Sequence, residues 1–253
     1  MEIYLTVIFG MLGAAIGSFL NVCVDRIPAG RSLTGPPSHC DACQRRLNFL
    51  DLFPIFSYIF LRGRCRYCGA RIPLQVLLVE LGCGLWTALV FWEKGLSVDF
   101  AVITFFSWVF ILIALIDLKT KLVYGVIIWP AIGIALLAAA FVLPQGIVNS
   151  LEGAGLGAGI ILIPFLVTRG RGMGFGDVEI ALLMGLVAGF WGVLVPILLG
   201  IILGGVMAII LLAFRIKGRK DAIPFGPFLS IAAIISMLWG VQILKWWLNL
   251  FSF

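Results

Sequence analysis

The stretch FAVITFFSWVFILIALID, residues 100–117, reads as a membrane-crossing helix that ends on a carboxylate. Nothing from Phe100 to Ile116 carries a charge. The run approaches the roughly 20 apolar residues that cross a bilayer as a helix. Asp117 then closes it. A second aspartate, Asp177, closes the glycine-rich stretch Gly172-Met173-Gly174-Phe175-Gly176 ahead of another apolar segment. A carboxylate at a membrane border is costly to dehydrate, so two at matching depth point to shared proton chemistry.

Composition around this stretch agrees with a bilayer protein. The chain has 253 residues, of which 62% are hydrophobic and 12% charged, with a mean hydropathy of +1.16. One soluble core cannot absorb that much apolar surface. Eight hydrophobic segments thread the chain, at about 3–24, 74–92, 98–116, 123–143, 151–168, 178–190, 193–214 and 226–249. The fold class expected is an all-α polytopic membrane protein of about eight transmembrane helices with a small cytoplasmic zinc-binding subdomain. The first segment starts Met1-Glu2, without the basic stretch or the small-residue cleavage site of a secretory signal, and reads as a retained helix.

The net charge of +6 is a matter of orientation rather than nucleic-acid binding. Of 18 Lys and Arg, eight fall between Arg26 and Arg71, Lys119 and Lys121 flank Thr120, Arg169 and Arg171 form a third group, and four lie between Arg215 and Lys220. Basic residues gather in cytoplasmic loops. With the N-terminus outside, all these groups reach the cytoplasm, and the connections near 93–97, 144–150 and 189–192 face outward. The organisation expected is a first transmembrane helix at 1–24, a cytoplasmic zinc-binding loop with four cysteines at 25–72, and a helical membrane domain at 73–253. Glycine pairs four apart, Gly13/Gly17, Gly153/Gly157, Gly155/Gly159, Gly185/Gly189 and Gly200/Gly204, suit close helix approach, though glycine is common in membrane helices generally.

The polar region 25–72 holds Cys40-Asp41-Ala42-Cys43 and Cys65-Arg66-Tyr67-Cys68, two CxxC pairs separated by 21 residues. Two such knuckles complete a tetrahedral zinc site, and a cytoplasmic location keeps the thiols reduced. A loop with so little apolar material benefits from a metal to fold around. Redox-active or incidental cysteine pairs and a nucleic-acid-binding zinc ribbon are the alternatives. His39 reads as a solvated neighbour, and Cys23 and Cys83 as small apolar helix residues.

In this threading Asp117 and Asp177 reach the same membrane face from different helices. Like charges a few ångströms apart do not both ionise, so one proton is shared. The ionised member can take a proton from water while the protonated one polarises a peptide carbonyl, which is aspartyl-protease chemistry. Gly174 and Gly176 would let an extended substrate backbone approach the carboxylate. The plainer alternative is that Asp177 caps its own helix, with Glu179 adding charge at that N-terminus, and that Asp117 is a border residue balanced by Lys119 and Lys121. Pro224 and Pro227 sit at the opening of the last helix on the same face, where a role in shaping substrate stands beside their ordinary place in a first turn.

The ordered motifs closely resemble the type IV prepilin peptidases, bifunctional leader peptidase/N-methyltransferases of bacterial pilus and type II secretion systems. The resemblance rests on Gly17-Ser18-Phe19-Leu20-Asn21-Val22, the two CxxC knuckles with Leu61-Arg62-Gly63-Arg64 before the second, Glu80 at a recurrent acidic position, Ile116-Asp117, Gly174-Phe175-Gly176-Asp177, and Pro224-Phe225-Gly226-Pro227-Phe228. It implies that Asp117 and Asp177 are the catalytic pair of a GxGD-type aspartyl protease and that Cys40, Cys43, Cys65 and Cys68 are the metal positions. It further implies prepilin and pseudopilin precursors as substrates, cut at the cytoplasmic face of the inner membrane. Methylation of the new N-terminus from S-adenosylmethionine is implied too, tied to the N-terminal part. Two positions depart from the pattern: Glu179 stands where Lys is frequent, and Lys121-Leu122-Val123-Tyr124-Gly125 lacks the usual Ile-Pro-Asp/Asn. Two other classes compete with an enzyme, a proton- or cation-coupled transporter and a non-catalytic scaffold that recruits a partner through the zinc loop.

Overall fold

The computed structural model describes residues 2–170, 172–215 and 223–251. Arg171, Lys217, Arg219 and Lys220, counted above among the basic loops, lie outside the described residues. Each of the eight hydrophobic segments forms a helix: α1 Glu2–Arg26, α3 Leu74–Lys94, α4 Val98–Thr120, α5 Gly125–Phe141, α6 Gly146–Thr168, α7 Phe175–Ala188, α8 Leu194–Ala213 and α9 Gly226–Phe251. The short α2, Phe56–Phe60, lies in the polar region. Apolar runs become helices because lipid offers no partner for backbone N–H and C=O groups, so each segment must satisfy its own. Six of the helices (α1, α3, α4, α6, α8 and α9) are long and apolar enough to cross a membrane, whereas α5 is shorter at 17 residues. At about 1.5 Å per residue the 14-residue α7 reaches only about 21 Å. It is walled by protein, with Val178, Ile180, Ala181, Leu183, Met184, Gly185, Leu186 and Val187 all buried. The shortest of the expected segments is thus an interior helix.

The chain divides into two compact units, Met1–Trp108 and Val109–Phe253. In the first, α1 lies along α3. A Cβ on Gly13 would stand 2.6 Å from the Cys83 carbonyl oxygen, and one on Gly17 would stand 2.9 Å from the Val79 carbonyl oxygen. Small residues substitute for hydrophobic drive here, because lipid is as apolar as leucine and only close packing separates one arrangement from another. Asn21 Nδ2 donates to the Gly17 and Val76 carbonyls at 3.2 Å each, tying the two helices. Phe9 stacks on Phe91 at 4.6 Å between centroids, and Phe100 meets both rings edge-on at 5.0 and 5.6 Å.

In the second unit α7 is the hub, packed on α5, α6 and α9, with α8 against α9. The α6–α7 contact is glycine on backbone. A Cβ on Gly157 would lie 2.6 Å from the Ala181 carbonyl oxygen, and Gly153 and Gly185 face one another with no room for either to gain one. The far end of α7 is pinned: Gln145 Nε2 donates to the Val187 carbonyl at 2.9 Å, and the Phe190 N–H donates to Asn149 Oδ1 at 2.8 Å. Gly200 instead seats the Leu229 side chain and backbone, and Gly204 seats the Phe225 ring, at the α9 end. Gly155 and Gly159 differ, since a Cβ on either meets nothing within 4 Å among the described residues. Four of the five glycine pairs therefore seat a neighbouring helix and the fifth does not.

Gly153→Leu is expected to destabilise the protein by about 1–3 kcal/mol through overpacking against α7, whereas Gly155→Ala is expected to be neutral or slightly stabilising. Thermal unfolding of the two detergent-solubilised variants checks the contrast.

Candidate active site and metal centre

Asp117 continues the buried face of α4 set by Phe110 and Ile113, three and four residues apart along one side of the helix. The helix ends just beyond it, where Lys121 turns left-handed (φ 57°) and its N–H closes on the Asp117 carbonyl at 2.8 Å. Asp177 occupies the first turn of α7, preceded by Gly174 in extended conformation (φ −79°, ψ 153°). Both carboxylates are buried, at 5% and 8% exposure. They belong to the same unit, and Gly226 lies between Asp117 Oδ2 and the Cδ1 of Ile180, which is three residues along α7 from Asp177.

Each carboxylate is held by the backbone N–H of a glycine. Gly226 at the start of α9 donates to Asp117. Gly174 donates to Asp177 Oδ2 at 3.1 Å. A helix N-terminus presents unpaired N–H groups and the positive end of the helix dipole, so it suits an anion. The helix-capping reading of Asp177 holds for Oδ2, which accepts the Gly174 N–H. Gly226 is required sterically as well: a Cβ there would sit 2.6 Å from Asp117 Oδ2 and 3.1 Å from Ile180 Cδ1.

The two glycines beside Asp177 part company. Among the described residues, a Cβ on Gly174 would meet only Asp177 Oδ2 at 3.8 Å and the Gly176 nitrogen at 3.9 Å, which leaves space beside the carboxylate. One on Gly176 would strike Val123 Cγ2 at 2.5 Å. Gly176 is small so that the segment after α4 can pack on it, not so that substrate can approach there, which corrects the reading that paired the two. The role of Gly226 was missed from sequence, although a glycine between two prolines at a helix start was the available signal. One turn deeper along α9, Ser230 is fully buried with no hydrogen-bond partner for its hydroxyl among the described residues.

The four knuckle cysteines converge. Their sulfurs lie within 4.8 Å of one another, with Cys40 and Cys68 at 3.8 Å. A tetrahedral ion with Zn–S bonds of about 2.3 Å requires sulfurs about 3.8 Å apart, so the set fits zinc. All four are free thiols. The knuckles repeat one geometry. Cys40 N–H donates to Arg45 and Cys65 N–H to Ala70, while Gln44 and Gly69 each turn left-handed (φ 57° and 72°) and donate back to the cysteine carbonyl. The bridges His39–Arg46 and Arg64–Arg71 close the two loops in the same register. Backbone N–H groups of Tyr67 and Cys68 directed at its sulfur bring the Cys65 thiol down to about 7, whereas at Cys68, against the Ala70 N–H, burial and the neighbouring thiols push the thiol up to about 11, so the cluster gives up its protons unequally. His39 Nδ1 contacts the Pro37 carbonyl at 3.1 Å, and His39 is not part of the sulfur cluster.

Glu80 is buried in α3, and its Oε2 accepts the Ile55 N–H at 2.7 Å. Ile55 is held at φ 66°, a region β-branched residues rarely enter, so the carboxylate secures a strained turn. Cys23 and Cys83 are buried among helix residues, as a small apolar role requires.

Comparison with known proteins adds a family to this geometry. Residues 11–94 match the Bacterial Peptidase A24 N-terminal domain, and residues 104–209 match the Type IV leader peptidase family. The chain is 32% identical to a prepilin leader peptidase/N-methyltransferase of Pseudomonas putida, over 95% of the chain and 92% of the relative. It is 31% identical to the protein of that name from Pseudomonas aeruginosa, over 96% and 93%, and 29% identical to the one from Dichelobacter nodosus, over 92% and 91%. No solved structure matches the chain.

Full-length protein purified without chelator is expected to carry about one zinc ion, and Cys65→Ser or Cys68→Ser is expected to lose it. Elemental analysis of the three preparations measures this directly, and equal metal content in all of them would discount the cluster.

Proposed function

The chain belongs to the type IV leader peptidase family, and we propose that it cleaves the basic leader from prepilin and pseudopilin precursors with Asp117 and Asp177 as the catalytic pair. The single observation behind the residue assignment is that two buried carboxylates lie at adjoining helix ends of one unit, each accepting a glycine N–H from a helix start. Repulsion between like charges keeps one proton on the pair. The ionised member takes a proton from water as the oxygen attacks the scissile carbonyl, and the protonated member gives its proton to the carbonyl oxygen. The tetrahedral species then collapses. Its hydroxyl returns a proton to the carboxylate pair, the C–N bond breaks, and the leaving nitrogen takes up a proton to become the new amino terminus. The Gly226 and Gly174 N–H groups stay in place throughout and fix the orientation of the two carboxylates.

Space beside Gly174 is where an extended backbone would run, next to Asp177. Pro227 in the first turn of α9 stiffens the element that presents Gly226. The placement of basic residues supports a multi-pass protein of the bacterial inner membrane with the site facing the cytoplasm. The same enzyme methylates the exposed amino group, with S-adenosylmethionine as the methyl donor. We assign the methylation-associated part to the polar region 25–72, whose four cysteines would hold zinc as a structural ion, and the cutting part to the helices of 73–253. Neither a transporter nor a scaffold is favoured, since neither calls for a carboxylate pair braced at two helix starts.

Asp117→Asn and Asp177→Asn are each expected to lower leader cleavage at least about 10²-fold while leaving helicity, metal content and methylation of an already cleaved pilin unchanged. Gly226→Val is expected to impair cleavage as well, by displacing the Asp117 carboxylate. An in vitro assay on a pilin precursor reads all three, and full cleavage by either Asn variant would remove the aspartates from the mechanism.

A further inference from the structure

We propose that residues 49–60 form a re-entrant anchor that sits in the bilayer interface and selects acidic phospholipid headgroups. The segment lies between α1 and α3 and outside every membrane-crossing helix. It nevertheless exposes Phe49 (74%), Leu50 (63%), Phe56, Ile59 (60%) and Phe60 (82%). That is a run of large apolar side chains left uncovered by the other described residues, and surfaces of this kind mark a membrane or a partner.

Depth decides for the membrane. The Ile55 N–H is bonded to Glu80 Oε2 at 2.7 Å, and Glu80 lies six residues inside α3. Six residues of helix are about 9 Å. The outward face of α3 is already apolar at Leu74 and Leu78, both 58% exposed, so lipid contact begins at its first turn. A helical side chain leans toward its own N-terminus, so Ile55 stands beside the first turns of α3, level with that apolar face, and the strained backbone at φ 66° is what turns the chain back. Tyr58 Oη donates to the Ile72 carbonyl at 3.3 Å and ties the return limb to the segment entering α3.

Charge decides for the kind of lipid. From Gln44 to Ile72 there are six arginines and a single acidic residue, Asp51. Asp51 is engaged by Arg66 at 2.6 Å and by the Asn48 N–H at 3.1 Å. Arg46, Arg62 and Arg64 remain exposed on either side of the apolar run. Apolar residues bordered by arginines suit an anionic bilayer surface, with the aromatics at the acyl boundary and the guanidinium groups on phosphates. A substrate leader rich in basic residues would be repelled by the same surface.

The test uses the full chain with p-benzoylphenylalanine in place of Phe60, reconstituted in vesicles of phosphatidylcholine and phosphatidylglycerol, irradiated, and examined by mass spectrometry. Phospholipid adducts are expected at position 60, enriched in phosphatidylglycerol about two-fold or more over its share of the vesicle. In protein that also carries Arg46→Gln and Arg62→Gln, the adducts are expected to persist and the enrichment to vanish. Cross-links only to a second copy, only to an added pilin precursor, or to nothing would overturn the anchor. Adducts that mirror the vesicle composition before the arginines are replaced would overturn the headgroup selection. Neither outcome touches the aspartate assignment, which leader cleavage by the Asn variants tests separately.

Discussion

Two carboxylates buried among apolar helices must each be paid for in hydrogen bonds, and here both are held by backbone N–H groups of glycine. Effective penalties for burying an ion run to several kcal/mol, so a carboxylate in this setting is retained only where donors are already in place. Gly226 and Gly174 supply those donors at the starts of α9 and α7, where the first N–H groups of a helix have no internal partner. A side chain on Gly226 would occupy the space that Asp117 needs, so donor and clearance come from the same residue. Position and charge of the pair thus depend on where two helices begin.

The rest of the Val109–Phe253 unit keeps those helix starts in register. The close α6–α7 contact at Gly153, Gly157 and Gly185 fixes α7 along its length, while Gln145 and Asn149 tie down its far end. Gly200 and Gly204 bring α8 onto the beginning of α9. Because lipid gives little net drive for one helix to meet another, close contacts made at glycines are what distinguish this arrangement from its near alternatives. The Met1–Trp108 unit uses the same device where Gly13 and Gly17 meet α3. Its polar part relies on another one, a paired cysteine cluster built by two knuckles of identical hydrogen bonding.

Membrane helices were legible in the sequence because the bilayer imposes a length and a composition that a local window detects. The cysteine cluster was legible for a similar reason, since a CxxC spacing already places two thiols on one knuckle and the knuckles had only to meet. Asp117 and Asp177 stood out because charge is scarce in this chain. Less visible were Gly226, whose N–H and missing side chain matter only once α9 begins beside Asp117, and Gly176, which the packing of Val123 explains and substrate access does not. The Ile55–Glu80 clip was invisible too, since nothing local marks an isoleucine for a left-handed backbone.

What the sequence determined by itself was the class of environment and the kinds of chemistry available, because hydropathy, charge placement and knuckle spacing are properties of contiguous residues. Tertiary structure alone decided which glycines are seams and which are open. It also decided which backbone donor serves each carboxylate and how far the segment around Ile55 folds back along α3. Those outcomes depend on distances between residues tens of positions apart, set by how helices pack rather than by what any one of them contains.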